Sequence, residues 1–188
     1  MCIGIGRALG AAYLARPNIT LIAGVRNPSD ETAQTLENLQ RGDGSKLIIV
    51  KIDSASEDDA KIAIELIKTQ HGVLKLDTVI ANAGIGYYWA TALKTSAKEL
   101  QEHYLVNSIA PLILFQEAFS LLSASENPKF IVISSLLGSI GAMDSSPLPA
   151  TAYGSSKAAL NYTTKKIHQE NPNLVSFAVH PGLVQCHF

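Results

Sequence analysis

The chain has only two cysteines, Cys2 and Cys186, at opposite ends of 188 residues. That spacing builds no disulfide framework and suits a reducing, cytoplasmic compartment. It also lacks an excess of either charge: the formal net charge is −1, with lysine and arginine spread along the chain. A nucleic-acid footprint or an attraction to an anionic membrane is therefore not expected. No run of consecutive apolar residues reaches the roughly 18 that a membrane span needs. No internal repeat, low-complexity tract or linker is present, and no metal site is expected. The first 29 residues contain three arginines and no acid, a composition shared with transit peptides. Arg7, however, interrupts the apolar run ALGAAYLA, and no basic stretch precedes it. A glycine loop opening into a helix accounts for the same residues better.

What is present alternates. NITLIAG (Asn18–Gly24), KLIIVKID (Lys46–Asp53), LDTVIANAG (Leu76–Gly84), KFIVISS (Lys129–Ser135) and LVSFAVHPG (Leu174–Gly182) are apolar runs of the kind buried on both faces of a parallel sheet. Between them lie helical patterns. SDETAQTLENLQ (Ser29–Gln40) has Ser29 as its N-cap, with Thr32 an imperfect match to the capping box. A second helix follows Ser56 and ends before Gly72. A long one lies around Ala97–Leu122 and another around Thr151–Gln169. Strands alternating with helices predict an α/β fold with a doubly wound parallel sheet. At 47% hydrophobic residues the chain can fill the core of one such domain.

Tyr153 and Lys157 in TAYGSSKAALNY stand four apart on a predicted helix and share a face. Alone, that pair is commonly a solvated tyrosine beside a surface lysine. Its company gives it weight. Ser134 and Ser135 stand where a buried strand runs out, the place where open α/β sheets build their sites, although serines there also cap turns. Pro181 and Gly182 end another strand, and Asn82, Ala83 and Gly84 end the middle one. Asn107 lies inside the long helix, four residues before Pro111. Proline has no N–H, so the Asn107 carbonyl loses its regular helical partner and must find another donor; a plain proline kink is the alternative.

In this order and at these spacings the motifs resemble the short-chain dehydrogenase/reductase family over nearly the whole chain. The runs HGVLKLDTVIANAGIG, SSLLGSI and TAYGSSKAALNYTTKKIH look most like the sniffer-type carbonyl reductase branch and, closer still, a ketoreductase of fungal polyketide synthesis. The resemblance implies one NAD(P)-binding Rossmann domain over residues 1–188, incomplete at both ends. It implies reduction of a small-molecule ketone or aldehyde, with homo-oligomer formation left open. Its catalytic residues would be Asn107, Ser135, Tyr153 and Lys157. Tyr153 would protonate the carbonyl oxygen as hydride arrives from nicotinamide. Ser135, first residue of S-x-x-G, would orient that oxygen. Lys157 would favour the phenolate and hold the nicotinamide ribose, and the Asn107 carbonyl would hold a water leading protons to the lysine.

The same resemblance assigns cofactor contacts to Gly4, Ile5, Gly6, Arg26, Asp53, Asn82, Ala83, Gly84, Tyr153, Lys157, Pro181, Gly182 and Val184. Where an NAD enzyme places an acid for the ribose 2′-hydroxyl, this chain has Gly24, Val25 and Arg26. Arg26 suits a 2′-phosphate, so NADP(H) is expected. The second basic position of NADP enzymes is occupied by Ile3. Asp53 fits an adenine contact or an acid at a helix N-terminus. Three departures remain. The Thr-Gly that opens the family's loop and the strand before it are absent, and Cys186 stands at a threonine position. The expectation is a chain truncated at both ends, with a vacancy or a forced rejoining between the first and third strands. The alternative function is a catalytically silent fragment or interaction module of the same fold.

Overall fold

The computed structural model describes residues 4–145, 147–182 and 184. Two compact units emerge: one from the residues up to Ala63 together with Val184, the other spanning Ile64–Gly182.

The first unit holds α1 (Ile5–Leu14), β1 (Thr20–Val25), α2 (Glu31–Gln34) and β2 (Lys46–Lys51). β1 and β2 pair in parallel, from Thr20 opposite Lys46 to Val25 opposite Lys51. Val25, Ala33 and Leu36 form the core, with Ala23, Leu39, Leu47 and Ile49 packed on it. α2 is shorter than the expected Ser29–Gln40 helix and continues only as a 3-10 turn over Thr35–Asn38. Ser29 is not its N-cap. The Asn27 side chain accepts the Ser29 amide at 3.0 Å and donates to Asp30 at 2.6 Å, so an asparagine turn ahead of Pro28 sets the entry. Thr35 then bonds back to the Thr32 carbonyl at 2.8 Å, one of the side-chain alternatives by which threonine weakens a helix.

α3 (Asp59–His71) carries the chain into the second unit. Its entry turn is tied at Asp59, whose carboxylate accepts the Asp53 amide at 3.0 Å and pairs with Lys51 at 3.1 Å. The backbone hydrogen bond from Asp53 holds the Asp59 carboxyl below its ordinary range, against the opposing effect of burial.

The second unit contains β3 (Thr78–Ala81), α4 (Ala97–Tyr104), α5 (Ala110–Ser123), β4 (Lys129–Ile133), α6 (Thr151–Glu170) and β5 (Val175–Val179). Its sheet runs β3-β4-β5, and both ladders are parallel. Phe130 and Val132 of β4 are fully buried with Leu122 and Leu160. Burial of an aliphatic or aromatic side chain of this size contributes about 1.5–3 kcal/mol. All five strands are thus parallel to their neighbours. Among the described residues no ladder joins β1 to β3.

α4 and α5 form one continuous rod through a π turn at Leu105–Ile109. The Ala110 amide reaches back five residues to the Leu105 carbonyl, the wider register that accommodates Pro111 one residue later. Sequence reading found no apolar run long enough for a membrane span. The Ala97–Ser123 rod, interrupted by polar residues, is nonetheless long and apolar enough to cross a membrane by length and composition alone. Here it packs inward, burying Asn107, Ser108, Pro111, Ala118, Leu121 and Leu122.

Candidate active site

Parallel strands send their carboxyl ends to one edge. In the second unit that edge therefore collects Asn82–Gly84 after β3, Ser134 and Ser135 after β4, and Pro181 and Gly182 after β5. Gly182 takes φ +79°, a conformation glycine adopts without strain.

Asn107 is fully buried, and its carboxamide uses both N–H donors and its oxygen. Its Oδ1 accepts the Ile85 amide at 2.9 Å. Its Nδ2 donates to the Ile85 carbonyl at 2.9 Å and to Ser156 Oγ at 3.0 Å. One side chain therefore fastens the loop after β3 to α6 through the π turn. Ser108 adds a second tie, donating to the Ser156 carbonyl at 2.7 Å.

Lys157 is 4% exposed and donates to the Ile133 carbonyl at 2.8 Å. Burial lowers its pKa from 10.5 to about 8, because a charged amine is costly away from water. Its ammonium stands 5.8 Å from the centroid of the Tyr153 ring. A Cβ on Gly84 would approach Lys157 Nζ to 3.4 Å and Asn107 Oδ1 to 3.2 Å, so the N-A-G glycine marks a real closeness of the loop to both residues.

Ser135 is half-buried and its hydroxyl accepts the Leu137 amide at 3.2 Å, capping the 3-10 turn Leu136–Gly138. A hydroxyl has one O–H and two lone pairs, so the cap leaves its O–H to donate elsewhere. Ser134 is buried and donates to Asn161 Oδ1 at 2.6 Å, a bond that commits it to the scaffold. The turn bearing Ser135 lies tight against α6. A Cβ on Gly138 would come within 2.6 Å of the Lys157 backbone, and one on Gly154 within 2.8 Å of the Leu137 carbonyl. Asn161 closes the joint by donating to the Gly138 carbonyl at 3.2 Å. Asn161 was not singled out from the sequence, although its place four residues beyond Lys157 sets it on the same helix face.

Tyr153 is half-buried, and its ring lies 3.2 Å from the position of a Cβ on Gly86. Its phenol makes no hydrogen bond among the described residues. Trp89 stands 6.1 Å away, ring to ring, and His103 stands 6.5 Å away, edge to face. His103 is fully buried. Its Nδ1 lies 2.8 Å from the Glu99 carbonyl, which only accepts, so Nδ1 carries the proton. Nε2 has no partner. A polar residue on the mainly polar α4 reads in sequence as solvated, which is why this histidine escaped notice.

In the first unit Gly4 takes φ +66° at the start of α1, where no side chain among the described residues caps the helix and no acid occupies the first turn. Gly4 and Ile5 line an apolar cavity of about 430 Å³ with Ala8, Leu9 and Val184, and Gly6 lies in the first turn of α1. Arg26 is exposed directly after β1 and forms no ion pair among the described residues. Asp53 accepts the Ala55 amide at 2.9 Å. It lies ahead of α3, whose first-turn acid is Asp59, so the helix-terminal role considered for Asp53 belongs to Asp59. Ile3 and Cys186 fall outside the described residues.

A family model for short chain dehydrogenase matches residues 1–187. Norsolorinic acid ketoreductase of Aspergillus parasiticus is 41% identical over 184 residues, which cover 97% of this chain and 68% of that protein. Among solved structures, the NADPH bound carbonyl reductase from chicken fatty liver superposes with a TM-score of 0.84 at 28% identity, covering 95% of this chain and 72% of that one. The carbonyl reductase Sniffer of D. melanogaster gives 0.81 at 26% identity, covering 96% and 77%.

Proposed function

The chain belongs to the short-chain dehydrogenase family, and from that premise we propose that it reduces a ketone or aldehyde with NADPH, in one dinucleotide-binding domain. The observation that carries the proposal is the fastening of the Ser135 turn, through Gly138 and Asn161, onto the helix that bears Tyr153 and Lys157.

The residues present fit the cofactor. The N-terminus of α1, opened by Gly4 and free of first-turn acid, offers backbone N–H groups suited to a pyrophosphate. Ile5 and Gly6 line that approach, and Arg26 supplies a guanidinium suited to a 2′-phosphate. Within the first unit, Asp53 would meet the adenine and Val184 would border the approach. Reduced nicotinamide, when bound, supplies the hydride.

The chain's own residues do the rest. Ser135 donates its free O–H to the substrate carbonyl oxygen and orients it. Tyr153 gives the phenolic proton to that oxygen as negative charge develops there, a general-acid role. The Lys157 ammonium, 5.8 Å from the ring, stabilises the phenolate that remains and holds the ribose. Asn107 keeps the Ile85 loop closed over α6, and the altered helical register at its π turn leaves its carbonyl to a water that returns protons toward Lys157. A norsolorinic acid-like polyketide ketone is one candidate substrate, by likeness to the fungal relative.

The test is loss of NADPH absorbance with a panel of ketones and aldehydes. Turnover is expected for the chain and a fall of about 10²–10⁴-fold for Tyr153→Phe, with NADPH affinity unchanged. No turnover of any member, or full turnover by Tyr153→Phe, overturns the reading.

A further inference from the structure

Tyr153, Lys157 and Asn161 succeed one another at intervals of four along α6, so they lie along one stripe of the helix. The stripe grips the end of β4 residue by residue. Lys157 donates to the Ile133 carbonyl at 2.8 Å. Asn161 takes the next residue: its Oδ1 accepts the Ser134 hydroxyl at 2.6 Å, and its Nδ2 donates to the Gly138 carbonyl at 3.2 Å. Ser134 is buried, and its amide is pinned to the Val179 carbonyl at 2.8 Å. Ser135 thus stands inside a turn whose two ends meet in one carboxamide. Within that turn the Ser135 carbonyl accepts the Gly138 amide at 3.1 Å, and its Oγ accepts the Leu137 amide at 3.2 Å. The hydroxyl oxygen therefore moves wherever the Gly138 end moves. Among the described residues the Asn161 carboxamide has no other hydrogen-bond partner.

We propose that Asn161 is a positioning residue: by holding both ends of the Ser134–Gly138 turn to α6, it fixes where Ser135 Oγ stands relative to Tyr153 on the same helix. A carboxamide suits the task because it carries an acceptor and a donor side by side. The Ser134 hydroxyl needs the acceptor and the Gly138 carbonyl needs the donor. Aspartate supplies acceptors only and sets an oxygen against that carbonyl, and alanine supplies neither group. Placement matters to rate, since a misplacement of about 1 Å, even from a change far from the chemistry, can cost about 10²-fold. In this role Asn161 acts through Ser135 and not on the substrate or the cofactor. The kinetic consequence rests on the reductase reading, whereas the hold on the turn does not.

Two measurements test it. The first is NADPH-dependent reduction of benzaldehyde, cyclohexanone and the remainder of the carbonyl panel, in a double-mutant cycle of Asn161→Ala and Ser135→Ala. Asn161→Ala is expected to lower kcat/KM about tenfold while Ser135 is present. In Ser135→Ala, with no hydroxyl left to place, the same change should cost less than about twofold. NADPH affinity is expected to stay unchanged throughout. The second measurement needs no turnover: the Leu137 and Gly138 amides should exchange about tenfold faster in Asn161→Ala, as locally loosened segments do. Asn161→Asp, which keeps the acceptor for Ser134 and loses the donor to Gly138, is expected to show the same pattern and replaces Asn161→Ala if that variant does not fold. Equal losses in both backgrounds, or exchange left unchanged, overturn the positioning role. Undiminished turnover in Asn161→Ala overturns it and leaves the reductase reading standing. No turnover across the panel by the unaltered chain, with faster exchange in Asn161→Ala, overturns the reductase reading and leaves the hold on the turn standing. Absence of both turnover and the change in exchange overturns both.

Discussion

The Lys157 ammonium donates a 2.8 Å hydrogen bond to the carbonyl of Ile133, the last residue of β4. Burial makes this a charge held at a cost, with the lysine pKa lowered from 10.5 to about 8. Between about pH 8 and 10.5 the unfolded chain holds a proton on Lys157 that the folded chain has released. Stability therefore rises with pH across that window, by up to about 3 kcal/mol at about 1.4 kcal/mol per unit. Below pH 8 the penalty is constant. Urea unfolding across this range, compared with Lys157→Met, checks it. The difference between the two proteins should show this slope, and a flat difference refutes it.

Gly138 and Gly141 differ in surroundings. A Cβ at Gly138 would meet the Lys157 backbone at 2.6 Å, whereas one at Gly141 would meet nothing within 4 Å. Gly138→Ala should cost about 1–3 kcal/mol, the usual range for overpacking, and should displace the Ser135 turn and slow turnover. Gly141→Ala should be neutral or stabilise by a few tenths of a kcal/mol, about what restricting the unfolded chain yields. Thermal unfolding of the two variants separates these outcomes.

The candidate site was legible where a periodicity carried it. Tyr153 and Lys157 declare themselves by helical spacing, and the strand-end positions of Asn82, Ser135 and Gly182 by the parallel α/β pattern. Residues whose meaning lies in a neighbour distant in sequence were not legible. Gly138 is required by the backbone of Lys157, Asn161 by Ser134, and His103 by two tyrosines of another loop. Pro111 announced that the hydrogen bonding near Asn107 must change, but a π turn and a kink are equally good answers to a missing N–H. At α2, threonine back-bonding and the Asn27 turn outweighed a plausible N-cap serine.

Asn107 satisfies both backbone groups of Ile85 inside the protein. Asn107→Leu would take these partners from an N–H and a carbonyl of the half-buried Ile85, each costing up to about 1–3 kcal/mol. A drop in the urea midpoint equivalent to roughly 2–4 kcal/mol is expected. Asn107→Asp keeps an acceptor for the Ile85 amide but loses the donor and buries a charge, so it should fare no better at neutral pH. A change below about 0.5 kcal/mol, the range of inert surface substitutions, shows that the clamp carries little.

In the proposed function Arg26 would decide between the two nicotinamide cofactors by charge. It is exposed at the end of β1 and has no ion pair among the described residues, so its guanidinium is available to a phosphate. Arg26→Glu removes a charge-assisted bond of about 1.5–3 kcal/mol and puts a carboxylate where the 2′-phosphate would lie. The same carboxylate suits a ribose 2′-hydroxyl. Affinity for NADPH should fall about 10–100-fold, while that for NADH is unchanged or improved. Salt provides a second axis, because an exposed charge pair weakens as ionic strength rises. NADPH binding to the unaltered chain should therefore fall with added salt, and binding to Arg26→Glu should respond less. Asp53→Asn is the control: it retains the oxygen that accepts the Ala55 amide, so the turn persists and the NADPH-to-NADH ratio should hold. A ratio unmoved by Arg26→Glu would remove Arg26 from cofactor recognition.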